Sequence, residues 1–250
     1  VIYDGTSAHA NGESSEDRQI GESKFNSSDN DNAYVGYMYG KVGASTYAET
    51  HANTNNSTIK TYIDTWYENN IKGTANEQYI ADNIFCNDRS FAPNNRGTGA
   101  GKSSTDYRWY NFADRSNNNK MMLTCPQKND AFTVNDISKG NGALTYGIGL
   151  ITTDEVVLGG GFSGGGSYSD GSMRGYYDYY LYASKSYWTS SPYGFSGSSA
   201  DMRYVNSVFG SADDQYLVDL TEGVRPVISL TSEVLMQGDG TASNPFHLAS

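Results

Sequence analysis

The chain has 250 residues, of which 37% are hydrophobic and 18% are charged, a balance that excludes a highly charged disordered chain. Its apolar runs are much shorter than the roughly 20 residues that a membrane-spanning helix needs, so we expect no direct membrane insertion. The formal net charge of −11 argues against binding of nucleic acid or anionic lipid, because both require a basic surface.

The first third of the chain predicts a long polar loop and then one helix. Residues 6–33 are rich in Ser, Asn and Asp, which indicates a surface loop, and residues 34–39 follow as a short strand or buried turn. Apolar residues recur at helical spacing over residues 58–72, where Ser57 is the expected N-cap and Gly73 the stop. We expect this helix to pack its apolar stripe on a sheet.

The middle of the chain predicts a loop, a buried strand and a second helix. Residues 91–120, rich in Asn, Gly, Ser and Arg, indicate a long loop, and residues 144–151 indicate a buried strand. Thr152 and Glu155 have the spacing of a capping box, so a short helix is expected to begin there and to end at a run of three glycines.

The last third of the chain predicts loops and strands. Residues 164–172 indicate a flexible loop, and the Tyr-rich residues 176–182 a strand or loop rim. Strands are expected at residues 187–189 and 224–230. Without an internal repeat or a clear boundary, the pattern predicts one α+β domain over residues 1–250.

Two glycine-rich sequences imitate nucleotide-binding motifs without their context. Residues 97–103 resemble a P-loop, but the spacing is one residue short and no apolar strand precedes it. Gly159, Gly161 and Gly164 match G-x-G-x-x-G, but they follow a predicted helix instead of opening one. A nucleophile elbow and a recognisable histidine triad are also missing. The sequence therefore predicts a protein that is not an enzyme.

The two cysteines, Cys86 and Cys125, are either two buried thiols or one disulfide. Their wide separation and the scattered histidines do not match a zinc site. An extracellular location favours the disulfide, which would close a loop of about 40 residues and stabilise the fold by roughly 4 kcal/mol. We expect the disulfide.

Acidic and amide side chains leave calcium as a possible cofactor, and none other is predicted. Residues 29–32 and the pair Asp213 and Asp214 offer the hard oxygen ligands that calcium prefers. The chain lacks EF-hand spacing, and the Glu-Pro-Asn and Trp-Asn-Asp signatures of calcium-dependent lectins are missing too. The sequence does not place a metal site.

The end of the chain carries a family resemblance. Residues 187–192, Tyr-Trp-Thr-Ser-Ser-Pro, and residues 223–230, Gly-Val-Arg-Pro-Val-Ile-Ser-Leu, resemble the C-type-lectin-like domains related to the formylglycine-generating enzyme. More closely, they resemble the variable proteins that retroelements diversify in bacteria and their phages. Residues 35–40, 59–67, 86–90 and 150–156 extend the resemblance over most of the chain.

The resemblance implies a C-type-lectin-like fold, with two helices around a small twisted, mostly antiparallel sheet, long loops and adjacent chain ends. It also implies that residues 187–230 form a variable ligand-binding segment on a buried framework. The framework residues would be Trp188, Pro192, Phe195, Gly197, Ala200, Met202, Val205, Gly210, Val218 and the block 223–227.

Composition agrees with a binding role for this segment. From Tyr187 to Glu222 there are seven Ser, four Tyr, four Asp and no Lys, a palette that antibody paratopes share. Strand alternation predicts that Ala200, Met202 and Val205 point inward and that Asp201, Arg203 and Tyr204 point outward. The predicted ligand-binding residues are Tyr193, Ser196, Ser198, Ser199, Asp201, Arg203, Tyr204, Asn206, Ser207 and Phe209, followed by Ser211, Asp213, Asp214, Tyr216 and Asp219.

The genetic code limits which of these positions a retroelement can diversify. Variable codons commonly derive from AAC or AAT, and substitution at their first two bases cannot give Gln or Glu. Gln215 and Glu222 are therefore poor candidates, and they place the diversification of residues 211–222 in question.

The sequence leaves three functions to compare. The first is an adhesin of a bacterial or phage surface, such as a pilus or tail fibre, that binds a host or bacterial protein or glycan. The second is a formylglycine-generating enzyme, which would need reduced, adjacent cysteines at a cleft. The third is a structural surface domain. For the first, we expect an extracellular domain whose leader or anchor has been removed.

Overall fold

The computed structural model describes residues 1–7, 9–10, 13, 15–93, 98–102, 108–163, 177–212, 214–232, 234, 236–241, 243–245 and 247–248. These residues form a mixed α/β structure with antiparallel sheets and four α-helices: α1 (Tyr47–Thr50), α2 (Thr58–Asn70), α3 (Phe112–Asn117) and α4 (Thr153–Leu158). The strands are β1 (Glu22–Lys24), β2 (Met38–Tyr39), β3 (Asn55–Asn56), β4 (Ile80–Ala81), β5 (Phe85–Cys86), β6 (Arg108–Trp109), β7 (Ala131–Phe132), β8 (Ile148–Leu150), β9 (Tyr187–Phe195), β10 (Ala200–Val205), β11 (Asp214–Leu217), β12 (Thr221–Gly223), β13 (Pro226–Leu230), β14 (Met236–Gln237) and β15 (His247–Leu248).

The largest sheet is built around the hairpin of β9 and β10. Its strand order is β1-β12-β9-β10-β11, and β6 pairs with the far end of β9. All pairs are antiparallel except β12 with β9, which meet in parallel at Gly223 and Tyr187. Register shifts in the hairpin show that β9 is bulged opposite Met202. Residues 187–223 therefore supply four strands of this sheet, whereas β13 belongs to a second one.

The framework residues predicted from the resemblance lie in the core. Trp188, Met202 and Val218 are 0% exposed, and the indole Nε1 of Trp188 donates to the carbonyl oxygen of Ser23 at 2.8 Å. Helix α2 adds its apolar stripe to this core through Ile59 and Ile63. The other predicted framework residues are also buried, except for Gly197 and Val227, which are partly exposed.

The N-terminal residues pair with β13, near the end of the segment that carries the resemblance. A smaller sheet has the order β4-β13-β8, and the N-terminal residues lie along the edge of β13. The amide of Tyr3 donates to Pro226 at 2.9 Å, and the amide of Ile228 donates to Val1 at 2.9 Å.

Both predicted helices are confirmed, together with their caps. The hydroxyl of Ser57 accepts from the amide of Lys60 at the start of α2, and Gly73 follows its end with a φ of +74°. At α4, Thr152 and Glu155 form the complete capping box. No helix in the ranges given above is long and apolar enough to cross a membrane.

Within its described residues, the predicted surface loop at 6–33 has little regular structure, as expected, but part of it is buried. It contains β1 and a 3-10 turn at Glu16–Arg18, and Arg18, Asp31 and Asn32 are at most 1% exposed. The Asp31 carboxylate accepts from the amides of Ala33 and Gly43, so it replaces missing backbone partners in a turn. A polar side chain of this segment, that of Asp31, therefore bonds backbone groups inside the fold instead of facing solvent.

The predicted loop at residues 91–120 is also wrong in part, because it contains β6 and α3. Helix α3 buries Phe112 and Arg115 although its sequence, Phe-Ala-Asp-Arg-Ser-Asn, has no apolar periodicity. With α1, it raises the helices of the described ranges to four instead of the predicted two. The predicted loop at 164–172 and Tyr176 lie outside the described residues.

Candidate ligand-binding site

The turn that joins β9 to β10, residues 196–199, is an exposed part of the predicted binding segment. Ser196 and Ser198 are exposed, and Ser199 is half-buried. The amide of Ser196 donates to Ser199 at 3.0 Å, and Gly197 takes a φ of +84°. The next amide, that of Ala200, donates to Asp29 at 2.7 Å. The turn is therefore anchored at its base and presents its serines to solvent.

Tyr204 and Tyr216 form an aromatic pair on the side of the sheet that carries Trp188. Their ring centroids lie 5.5 Å apart, and each lies about 6 Å from the Trp188 ring. Both tyrosines are half-buried. Tyr204 was predicted to point away from the core, but its ring packs on the core.

Arg203 was predicted to face outward and is instead buried, with 5% of its surface exposed. Its guanidinium lies 4.7 Å from the ring centroid of Phe112 and 4.8 Å from that of Tyr193. Helix α3, which the sequence did not predict, covers this face of β10. The Arg203 cation is packed against two aromatic rings. Arg203 and the half-buried Tyr193 therefore stabilise the hairpin, and their role is structural instead of ligand-binding.

The loop after β10, residues 206–211, is organised from inside by Asn206. The side-chain oxygen of Asn206 accepts from the amide of Val208 at 2.7 Å, and its nitrogen donates to the hydroxyl of Tyr204 at 3.0 Å. Asn206 is 8% exposed and Ser211 1%, so these two predicted ligand-binding residues are structural. Val208 stands at the tip with 59% of its surface exposed.

Three tyrosines of one short segment hold the same loop from behind. The hydroxyls of Tyr177, Tyr179 and Tyr182 donate to the carbonyls of Val208, Gly210 and Ser207 at 2.6, 2.9 and 3.0 Å. Burial raises the pKa of Tyr179 and Tyr182, so these hydroxyls remain protonated donors at neutral pH. Although the loop is neither a helix nor a strand, hydrogen bonds from these tyrosines hold three of its carbonyl groups.

The remaining predicted residues divide between the loop, the strands and the turns. Ser207 and Phe209 are half-buried in the loop, and Asp219 is half-buried in the turn before β12. Asp201 is half-buried too, and burial, with the nearby charge of Asp29, raises its pKa to about 6. Asp213 lies outside the described residues, as does the side chain of Asp214.

The acidic sequence at residues 29–32 does not form a calcium cage. Asp31 is used in the turn described above, and Asn32 accepts from the hydroxyl of Tyr110 at 2.6 Å and donates to Gly99 at 3.0 Å. Across the described part of the chain, no group of three or more His, Cys, Asp and Glu side chains could hold a metal ion.

Cys86 and Cys125 form the predicted disulfide, and they line a groove of about 530 Å³. In the same groove, Arg115 donates to Asp88 at 2.6 Å and to Asp154 at 2.7 Å. The enzyme alternative needed adjacent cysteines that are reduced. They are adjacent and at a groove, but they are joined to each other, so neither is a thiol here.

Two parts of this site were not predicted from the sequence. Val208 is not among the predicted ligand-binding residues, because the apolar positions of the segment are predicted to be framework. The Tyr-rich residues 176–182 are predicted to be a strand or loop rim, and not a support for the loop 206–211. No protein-family model matches the chain, and no curated protein or solved structure matches it significantly. The interpretation of the site therefore depends on its geometry.

Proposed function

We propose that this chain is an extracellular ligand-binding domain of a bacterial or phage surface protein. Its binding surface, called the display surface below, comprises the turn 196–199 at one end of β10, the loop 206–211 at the other end, and Tyr204 and Tyr216 between them. The observation that carries the proposal is the support of the loop by three tyrosine hydroxyls while Val208 remains exposed at its tip. A loop fixed in advance loses less conformational entropy on binding, so its contacts yield more net affinity.

A C-type-lectin-like fold is part of the proposal. Support comes from the pairing of the N-terminal residues with β13, the helix α2 packed against the core and the buried framework of β9, β10 and β13. Solving the structure experimentally and comparing its topology with that of this fold class would test this part. A strand order unlike that class would contradict it.

An extracellular location is supported by the disulfide, because such bridges persist in oxidising compartments. The half-exposed tyrosines and exposed serines of the display surface supply adaptable contacts to either a protein or a glycan. We assign the ligand to the surface of a host or another bacterium, because the chain's negative charge disfavours nucleic acid.

Diversification by a retroelement is a further part of the proposal. It requires a near-identical second copy of the coding segment for residues 187–230, with substitutions confined to adenines. Sequencing the genomic neighbourhood tests this directly. If no such copy exists, the diversification is refuted, although the binding function stands.

The binding function itself is tested with glycan and protein arrays. The variants Val208→Asp and Ser198→Arg change exposed residues of the display surface, so we expect them to lose the signal of the unmodified domain. Val42→Asp is the matched control, because Val42 is also exposed, at 40%, and lies outside the display surface. If both test variants bind as the unmodified domain does, the binding surface lies elsewhere.

A further inference from the structure

A shallow, open groove lies beside helix α2 and shares no residue with the display surface. This groove, called the α2 groove below, has a volume of about 550 Å³, within the roughly 300–1,000 Å³ typical of small-molecule sites. It lies between α2, the chain after β1 and the strands β2 and β3. Its lining includes Tyr39, Tyr62, Ser27, Asn56, Thr58 and Thr65, with further Ser, Thr and Asn residues.

Two of the residues that line the groove are tyrosines, and each is held by a contact of its own. The ring of Tyr39 packs on that of Tyr34, with the centroids 5.4 Å apart. The hydroxyl of Tyr62 donates to the carbonyl of Ile20 at 3.3 Å, and it lies so close to Gly21 that any side chain there would clash with it. Gly21 also takes a φ of +138°, which suits glycine. The position of the Tyr62 ring therefore depends on Gly21.

Polar groups along the groove are not used by the protein. Within the described ranges, no protein hydrogen bond engages the side chains of Ser27, Asn56 or Thr58, or the hydroxyl of Tyr39, although each of these residues lines the groove. Hydroxyls both donate and accept, and the amide of Asn56 offers two donors and one acceptor. The groove thus presents hydrogen-bonding groups of both kinds beside its two tyrosines.

The lining contains no acidic or basic side chain. A phosphate or nucleotide would require cations, and an acidic ligand would be repelled by the net charge of −11. A neutral sugar ring matches the lining, because its C–H face stacks on an aromatic ring while its hydroxyls pair with hydroxyl and amide groups. We propose that the α2 groove binds a neutral saccharide, independently of any ligand at the display surface.

The test is a titration of the 15N-labelled domain with four neutral trisaccharides: maltotriose, cellotriose, N,N′,N″-triacetylchitotriose and mannotriose. We expect at least one to shift the amide signals of residues 56–65 saturably. Tyr62→Ala should weaken that binding by about tenfold or more, because it removes one of the two aromatic rings. Tyr62→Phe should bind within about threefold of the unmodified domain. It keeps the ring and loses only the hydroxyl, which donates to the carbonyl of Ile20.

Two controls separate this proposal from the others. Tyr180→Ala changes a half-exposed tyrosine outside the groove and should leave the titration unchanged, as should Val208→Asp on the display surface. Thermal unfolding checks that Tyr62→Ala is still folded, and Tyr39→Ala provides a second variant of the groove. If none of the four sugars shifts residues 56–65, or if Tyr62→Ala and Tyr39→Ala both bind as the unmodified domain does, the proposal is overturned.

Discussion

Tyrosine hydroxyls support the loop 206–211, so Tyr→Phe variants should open the loop to different degrees. Tyr179 is 4% exposed, and its hydroxyl is bonded to the buried Gly210. Tyr179→Phe keeps the ring and removes the donor, so the Gly210 carbonyl loses its partner where water does not readily replace it. The cost of such an unsatisfied buried group is about 1–3 kcal/mol.

That cost appears locally, because the loop opens without unfolding the sheet. A loss of about 1–3 kcal/mol corresponds to exchange of the loop amides that is roughly 5- to 150-fold faster. The amide of Gly210 donates to Asn206 at 2.7 Å and is the one to follow by hydrogen exchange. Tyr177→Phe should change it less than about threefold, because Tyr177 is 42% exposed and water can take over its bond.

Tyr180→Phe is the matched control for this series. Tyr180 lies in the same segment, but its hydroxyl faces Asp4 at 3.4 Å and not the loop, so Gly210 should exchange as in the unmodified domain. If Tyr179→Phe leaves the exchange of Gly210 and Val208 within about twofold of the unmodified domain, the tyrosines do not hold the loop. The argument for a fixed display surface then fails.

Three further results are expected. Replacing Cys86 and Cys125 by Ala should lower the free energy of unfolding in urea by about 2–4 kcal/mol, since the bridge closes a loop of 39 residues; an unchanged urea midpoint would contradict this. Arg89→Met should cost about 3–5 kcal/mol at pH 7, because it leaves the fully buried Asp130 carboxylate without its cation, and the second change Asp130→Asn should recover part of the loss. Burial raises the pKa of Asp201 to about 6 and that of Glu222 to about 7, with the charges of Asp29 and Glu22 adding to it. Since both pKa values exceed the roughly 4 of the unfolded chain, the folded protein holds more protons, and its stability should fall as pH rises from about 4 to about 7. The double variant Asp201→Asn and Glu222→Gln should flatten that decline in urea titrations at each pH, and an equally steep decline would argue against the shifts.

The elements that were predictable are those whose signals are local. The Ser57 cap and the 3.6-residue apolar period fix α2, and Thr152 with Glu155 fixes α4, because each pattern satisfies backbone groups within one turn. Helix α3 is different, since its six residues have no apolar period. Its place is secured by tertiary contacts, such as those of Arg115 with Asp88 and Asp154. Such contacts are distant in sequence and leave no local pattern.

The display surface was predictable only in outline, for the same reason. The apolar framework residues of β9 and β10, which the resemblance implied, are buried, as apolar side chains usually are. The role of each polar residue depends on what covers it. Arg203 is buried because α3 lies over it, and Ser211 is buried inside its loop. The inward and outward alternation of side chains along one strand predicts neither burial.

These contacts restrict what a retroelement could change. Asn206 is the single Asn between residues 187 and 222, so its codon is the one there that matches the AAC or AAT template without substitution. Its side chain nevertheless accepts from the amide of Val208 and donates to Tyr204, and losing such a hydrogen bond costs about 0.5–1.5 kcal/mol. We therefore expect Asn206 to stay constant among copies of the segment, whereas Ser196 and Ser198, which are exposed, should differ. Copies that vary freely at 206 while keeping a folded, protected loop would show that Asn206 does not organise it.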